Sequence, residues 1–451
     1  MTTVFNRQRR IVCGKCRRTF RWKAFFGLII GLVGVAAVSL LAGCWDKREL
    51  EDLAFVLATG IDADKDGKIL LTAQIAVPAR LGGGGGGGGG AGGGSQGPPV
   101  LVETISGKSL LDAIDKFQGT SDRRVSFLHN KMIIFGRDLA KRGVHDQMAL
   151  LTRWREMRRS MFILISDQKA MDILKIQPQQ EANPSTYLEN LVREDNRVGR
   201  IPFIQVNDFL QGLELEGLEA VVPLIRLKGA GVHAGKPEPE GAEGGVGAKR
   251  GKSTPKVGEG GKPEGKPEEP AKAASLSGLA VFRKDRMVGE LSQEETLGYM
   301  LLTGRFRRGI LVVPNPEEPD KWVSLFIREA YRRVRVRDLG DPPRFEVRLV
   351  LDADFGEIQG KAKLLDLRSM KKVEGVAAKM IRNEALRVIR RSQEDFRADL
   401  AGFGELVREK VSPARWARFN WPEVYPQARI DVTVKINLRR IGMSAEPLPP
   451  R

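Results

Sequence analysis

Two stretches of this 451-residue chain cannot contribute to a packed core, and they fix how the rest can be divided. The first, GGGGGGGGGAGGGSQGPP from Gly82 to Pro99, opens with nine consecutive glycines. A chain without side chains has nothing to bury, so a flexible loop is expected. It is no phosphate loop, which needs a lysine and a hydroxyl residue at fixed spacing. The second, Gly229 to Ser275, has no aromatic residue, repeats Gly-Lys-Pro-Glu from positions 235, 261 and 265, and balances eight Lys and Arg against seven Glu. Such a polyampholyte cannot offset its chain entropy by burial and is expected to be a disordered insert. The chain then divides into 1–43, an N-terminal α+β domain 44–228 carrying the Gly-rich loop 82–99, the insert 229–275, and a C-terminal α+β region 276–451.

Residues 1–23 hold eight Lys and Arg and no acid, and Ala24 to Ala42 carry no charge. A basic segment followed by an apolar one is the signature of a secretory signal. Its positive end stays inside, so the chain beyond Gly43 is expected outside the cytoplasm. The apolar stretch approaches the roughly 20 residues that span a bilayer, so length alone does not separate a cleaved signal from an anchor. Leu41-Ala42-Gly43-Cys44 does separate them, because small residues before a cysteine form a lipobox. The thiol there takes a diacylglyceryl group as a thioether, and the cysteine becomes the first mature residue. Cys44 is therefore the expected lipidation site, membrane lipid its expected partner, and 1–43 the expected signal peptide. Cys13 and Cys16 leave with the signal, so no internal disulfide or cysteine-bound metal is expected. The net charge of +18 rests largely on scattered arginines. For an exported chain the expected acidic partners are lipid headgroups, wall polymers or a protein, not nucleic acid.

Leu53–Thr59 and Ile69–Val77 read as two strands joined by a turn, and Ser109–Phe117 as a short helix. Lys131–Phe135 and Met161–Ile165 are β-rich runs with a helix between them near 144–157. Val206–Leu215 reads as helix and Val221–Leu227 as strand, while LSGLAVFRKDRMVGEL (276–291) reads as a hairpin turning at Lys284-Asp285. Phe345, Val347, Leu349 and Leu351 alternate with polar residues, and Ile430, Val432, Val434, Ile436 and Leu438 do so without a break. Period two marks a strand with one buried face. From Lys371 to Glu409 the period becomes helical, through Val373, Ala377, Ile381 and Val388 and on to Phe396, Leu400 and Phe403. The expected class is α+β and multi-domain, with mixed or antiparallel sheets packed with helices and, near the C-terminus, a long helix on an antiparallel sheet.

Few residues suggest chemistry. In DADKDGKI, Asp62, Asp64, Asp66 and Gly67 match the start of a calcium loop, but Ala73 stands where the bidentate Glu belongs. Asp-Gly between two apolar runs reads instead as a hairpin turn. His129, His145 and His233 show no metal-ligand spacing, and His129 before a strand reads as structural. RWREMRRS at 153–160 is a basic end that suits phosphates or carboxylates, or simply water. No Gly-x-Ser-x-Gly elbow, acid/base carboxylate pair or pocket-like cluster of aromatic and charged residues declares itself. No catalytic residue, cofactor or metal is expected.

Several stretches together carry one resemblance. They are GCWDKRELEDLAFVLATGID (43–62), LTAQIAVP (71–78), HNKMIIFGRDLAKRGV (129–144) leading into RWREMRRSMFILIS, and GLAVFRKDRMVGEL (278–291). DFRADLAGFGELVREK (395–410) and WARFNWPEVYPQARIDVTVKINLRRIGM (416–443) complete the set, and Asp399 with Gly402 to Gly404 is among its most specific parts. Together they resemble the spore-germination lipoproteins of the Ger(x)C type, and the resemblance implies the C subunit of a nutrient germinant receptor, anchored through Cys44 on the outer face of the inner spore membrane. It implies integral-membrane A and B subunits as partners, and it carries over no catalytic residue.

Two rivals share the anchor. A solute-binding lipoprotein feeding a transporter would show lobes of parallel strands. A wall-active hydrolase would turn over peptidoglycan.

Overall fold

A computed structural model describes residues 52–77, 99–178, 181, 183–228, 273–360 and 366–440, with residues 25 and 27–32. Cys44, 82–98 and 229–272 lie outside the described residues, as does the expected signal peptide apart from those few positions. The chain divides into a short unit, Met1–Leu53, and a body, Ala54–Arg451.

The first sheet comprises β1 (Leu53–Ala63), β2 (Ile69–Ala76), β3 (Val100–Gly107), β4 (Arg124–Ser126), β5 (Met132–Gly136), β6 (Phe162–Ser166), β7 (Val221–Lys228), β8 (Ala273–Arg283) and β9 (Arg286–Leu291). Its order is β3-β2-β1-β5-β6-β7-β8-β9, with β4 beside β1. The four central strands β1, β5, β6 and β7 run parallel, and hairpins flank them. A parallel centre is covered on both faces, which is why β5 and β6 are buried at every position rather than at alternate ones. Ile133, Phe135, Ile163 and Ile165 share one core with helices α1 (Leu110–Thr120), α2 (Arg137–Arg142), α3 (His145–Arg153) and α6 (Val206–Glu214). Met132, Ile134, Phe162 and Leu164 share the other with α4 (Ala170–Leu174) and α5 (Pro184–Arg197).

The second sheet has the order β10 (Gly309–Pro314), β11 (Trp322–Asp338), β12 (Arg344–Ile358), β13 (Arg429–Arg440). Helix α8 (Leu367–Glu394) packs on its inner face, burying Val373, Ala377, Ile381, Ala385 and Val388 against Val347, Leu349, Leu351, Val432 and Ile436. Each fully buried Val or Ile contributes about 1.5–3 kcal/mol. Asp366 caps the helix, its Oδ1 accepting from the N–H groups of Arg368 and Ser369 at 2.9 and 3.1 Å. Helix α7 (Gln293–Thr303) lies against α8, and Val221, Leu279, Val281 and Leu291 of the first sheet join the same core. The two halves of the body thus share buried residues.

The class is α+β with mixed sheets, as expected, but several details differ. The two most regularly alternating strands, β12 and β13, are parallel neighbours, so the expected antiparallel sheet is mixed. Alternation reports one buried face and is blind to strand direction. The 276–291 hairpin turns at Lys284 as read, yet it belongs to the first sheet. β8 begins at Ala273, inside the segment read as disordered, and Ala273 to Ser275 pair with Lys228 to Arg226. The helix expected near 144–157 ends at Arg153. β10, β11, α5 and α7 had no counterpart in the sequence reading.

Candidate functional site

The most heavily engaged polar group among the described residues is Asp399, 4% exposed, in the loop between α8 and α9 (Phe403–Arg408). Its Oδ1 accepts from the N–H groups of Ala401 (3.2 Å) and Gly402 (2.9 Å). Its Oδ2 accepts from the N–H of Gly404 (2.7 Å) and the indole Nε1–H of Trp421 (3.2 Å). Gly402 has φ +72, and this left-handed turn lets successive N–H groups converge on one carboxylate. The Asp-x-x-Gly-Phe-Gly spacing is therefore a backbone nest closed by its own aspartate.

The nest joins the two halves. The carbonyl of Asp399 accepts the N–H of Glu219 at 2.8 Å. Gly217 and Gly404 meet backbone to backbone. Trp416 Nε1 donates to Glu216 Oε2 at 2.8 Å. Further along, Arg305 pairs with Asp208 at 3.2 Å, and Gln293 Nε2 donates to the carbonyl of Arg200 at 2.9 Å. An aromatic cluster of Phe345, Phe403, Trp416, Phe419, Trp421 and Tyr425 packs beneath. Tyr425 Oη and Ser392 Oγ are 2.5 Å apart, and Gln393 Nε2 donates to the carbonyls of Tyr425 and Ala428.

Burial sets the electrostatics. It pushes the Asp399 carboxyl up to about 6, against the pull of the donated N–H groups. It pushes Glu219 up to about 7, opposed by the Lys284 N–H and reinforced by the charge of Asp399. It holds the Tyr425 phenol well above its ordinary value, with Asp399 adding to the effect. A cleft of about 310 Å³ opens beside the joint, lined among others by Glu216, Glu219, Lys284, Arg397, Trp421 and Tyr425. This is the gathering of aromatic and charged residues that the sequence alone did not reveal. Its members are scattered over some two hundred positions, and only Gly217 inside an acidic run hinted at a close approach.

The other candidates have local tasks. Asp62 is buried, its Oδ1 accepting from the Ala170 N–H (2.8 Å) and its Oδ2 from the Met171 N–H (3.0 Å), so it holds the start of α4. Asp64 lies in the turn, where its carbonyl accepts the N–H of Gly67 (φ +79) at 3.1 Å. His129 packs edge-on against Phe55 at 4.9 Å. In 153–160, Arg155, Arg158 and Arg159 are exposed, while Glu156 accepts the N–H of Phe127 at 3.1 Å. Arg137 pairs with Asp167 and Glu290, and Arg226 pairs with the same two carboxylates at 3.3 and 3.2 Å. That ring ties β6, β7 and β9 to the end of β5, a task the sequence did not disclose. Among the described residues no group of three or more His, Cys, Asp or Glu is placed to hold a metal ion, and no helix is long and apolar enough to cross a membrane.

Two family models match in succession: "Spore germination protein N-terminal domain" over residues 46–227 and "Spore germination B3/GerAC like, C-terminal" over 277–442. Spore germination protein KC of Bacillus subtilis (strain 168) is 25% identical over 427 residues, covering 93% of this chain and 97% of that protein. Spore germination protein GerQC of Bacillus cereus is 20% identical over 94% of this chain and 99% of its own length. Among solved structures, the crystal structure of the GerBC protein aligns with a TM-score of 0.47 at 15% identity, over 87% of this chain and 99% of that one. With both halves matched in order and its relatives spanned almost end to end, this chain belongs to the Ger(x)C family of spore germination proteins.

Proposed function

We propose that this chain is the C subunit of a nutrient germinant receptor. It is a lipoprotein held through Cys44 on the outer face of the inner spore membrane, working without catalysis beside integral-membrane A and B subunits. The observation that carries this reading is the end-to-end match with spore germination proteins, 97% of protein KC being covered. The joint supports a mechanical role. A body whose halves share a core and a buried carboxylate nest transmits a displacement rather than absorbing it, and tethering keeps it at high effective concentration beside its partners. The test is purification from detergent-solubilised membranes of dormant spores. Co-purification of a larger integral-membrane subunit and a transporter-like polytopic protein, with lipid mass on the Cys44 peptide, is the expected result. Recovery of the lipidated chain alone under mild detergent would sink the receptor reading.

One observation favours a second reading, a solute-binding lipoprotein. The four central strands of the first sheet are parallel, and the cleft beside Asp399 offers Trp421 and Tyr425 with charges of both signs. Calorimetry of the full chain with amino acids and sugars separates the two. Micromolar binding without partners would favour the second, and no heat of binding the first.

A further inference from the structure

The outer face of the second sheet has no role in anything above. Its inner face is core, while Ile310, Val312, Trp322, Phe326 and Tyr331 on the other side are exposed, Ile310 by 63%. They lie together, since Ile310 stands opposite Phe326 and Pro314 opposite Trp322 in register. Farther along β11 the face turns basic. Arg333 stands opposite Arg348, Tyr331 opposite Val350, and Lys435 on β13 opposite Val350 from the other side. Most carboxylates of this face are already paired, Asp354 with Arg328, Glu346 with Arg337, Asp431 with Arg344 and Asp352 with Arg439, while Glu329 accepts from the Tyr331 hydroxyl. Arg333, Arg335, Arg348 and Lys435 are exposed and have no carboxylate partner among the described residues.

Like charges directly opposite on neighbouring strands are unfavourable, and Arg333 against Arg348 is such a pair. An anion above the face would relieve it. A second copy would bring more of the same charge, so self-association does not fit. The uncompensated cations are spread over three strands, with aromatic and aliphatic side chains toward one end, which suits a continuous plane of phosphates with an apolar layer beneath. We propose that the outer face of the second sheet lies against an anionic lipid surface, with Arg333, Arg335, Arg348 and Lys435 on the headgroups and Trp322, Phe326 and Ile310 at the boundary. This deepens the membrane-bound reading above and rests on it.

The experiment is hydroxyl-radical footprinting of the full chain with vesicles of phosphatidylcholine, alone or mixed with phosphatidylglycerol. In the anionic vesicles, oxidation of Trp322, Phe326 and Tyr331 should slow on the order of fivefold, four cations near a charged surface being more than enough for that. Salt should reverse the protection, and R333Q/R335Q/R348Q/K435Q should abolish it with an unchanged circular dichroism spectrum. R333E/R335E should abolish it too, a second variant in case the first misfolds. Equal oxidation in both vesicle types would overturn the proposal. Protection found only in native spore membranes would also overturn it, and would assign the face to an acidic protein. Attachment to neutral vesicles scores the anchor separately. If the chain fails to attach there, co-flotation with anionic vesicles still reads the face.

Discussion

Gly217 and Gly404 approach so closely that neither position can carry a side chain. A Cβ on Gly404 would lie 2.5 Å from the Cα of Gly217 and 2.6 Å from Trp421 Nε1. One on Gly217 would lie 2.8 Å from the Cα of Gly404, and Gly217 has φ +100. Backbone stands on both sides, so nothing yields cheaply. Gly404→Ala should cost about 1–3 kcal/mol as an overpacking change. Gly217→Ala should cost more, because its backbone conformation is also strained. Urea unfolding of the two variants measures this, and wild-type stability in both would mean that the halves do not meet there.

The aspartate beside them is the second test. Asp399→Ala leaves the N–H groups of Ala401, Gly402 and Gly404 and the Trp421 indole without their acceptor in a buried site. Orphaned buried donors cost about 1–3 kcal/mol each, so a total above 3 kcal/mol is expected before water enters the gap. Asp399→Asn should fall between, since one amide oxygen can serve only part of the set. Thermal unfolding orders the three proteins, and an alanine variant as stable as the asparagine one would contradict the nest.

These residues also show which parts of the fold leave a mark in the sequence and which do not. The strands of β13 and the helix of α8 were legible because each buries one face, and burial of one face leaves a period. Asp399, Gly402 and Gly404 stood out as a pattern, but their partners Glu219, Gly217 and Trp421 come from other elements and carry no period of their own. The parallel centre of the first sheet was hidden for the opposite reason: β5 and β6 are buried throughout and so show no alternation. Strand β11 was missed because its second half exposes arginine after arginine, a composition that reads as solvated surface.

The buried Asp399 and the half-buried Glu219 make the joint sensitive to pH. Burial raises Glu219 from 4.5 to about 7 and Asp399 from 3.8 to about 6. The folded chain therefore keeps protons that the unfolded chain has already released. Stability should fall as pH rises from the unfolded values to about 7, then level off. Carboxylates held low by partners, such as Asp112 and Glu189, act with the opposite sign below about pH 4 and leave this window clear. The melting temperature should be higher at about pH 5 than at about pH 8. Glu219→Gln keeps an acceptor for the Lys284 N–H and removes the charge, so it should flatten much of the slope and stabilise the protein at the alkaline end. A slope unchanged in that variant would show that Glu219 is not its source.

Asp62, whose spacing to Asp64 and Asp66 matches the start of a calcium loop, is held by the fold at the start of α4. Both of its oxygens accept backbone N–H groups, and Gly136 is glycine because a Cβ there would fall 1.9 Å from Asp62 Oδ1. A carboxylate so placed cannot turn toward Asp64 and Asp66 without freeing two donors at the start of a helix. Asp62→Ala should therefore destabilise by about 2 kcal/mol, the cost of a lost cap and its orphaned donors. The loss should be the same with and without calcium. Gly136→Ala should destabilise too, by forcing the carboxylate off its cap. A melting temperature that rises on calcium addition in the wild type and not in Asp62→Ala would return this turn to the metal sites. If calcium moves neither protein while both variants lose stability, Asp62 is a tie between β1 and the chain that follows β6.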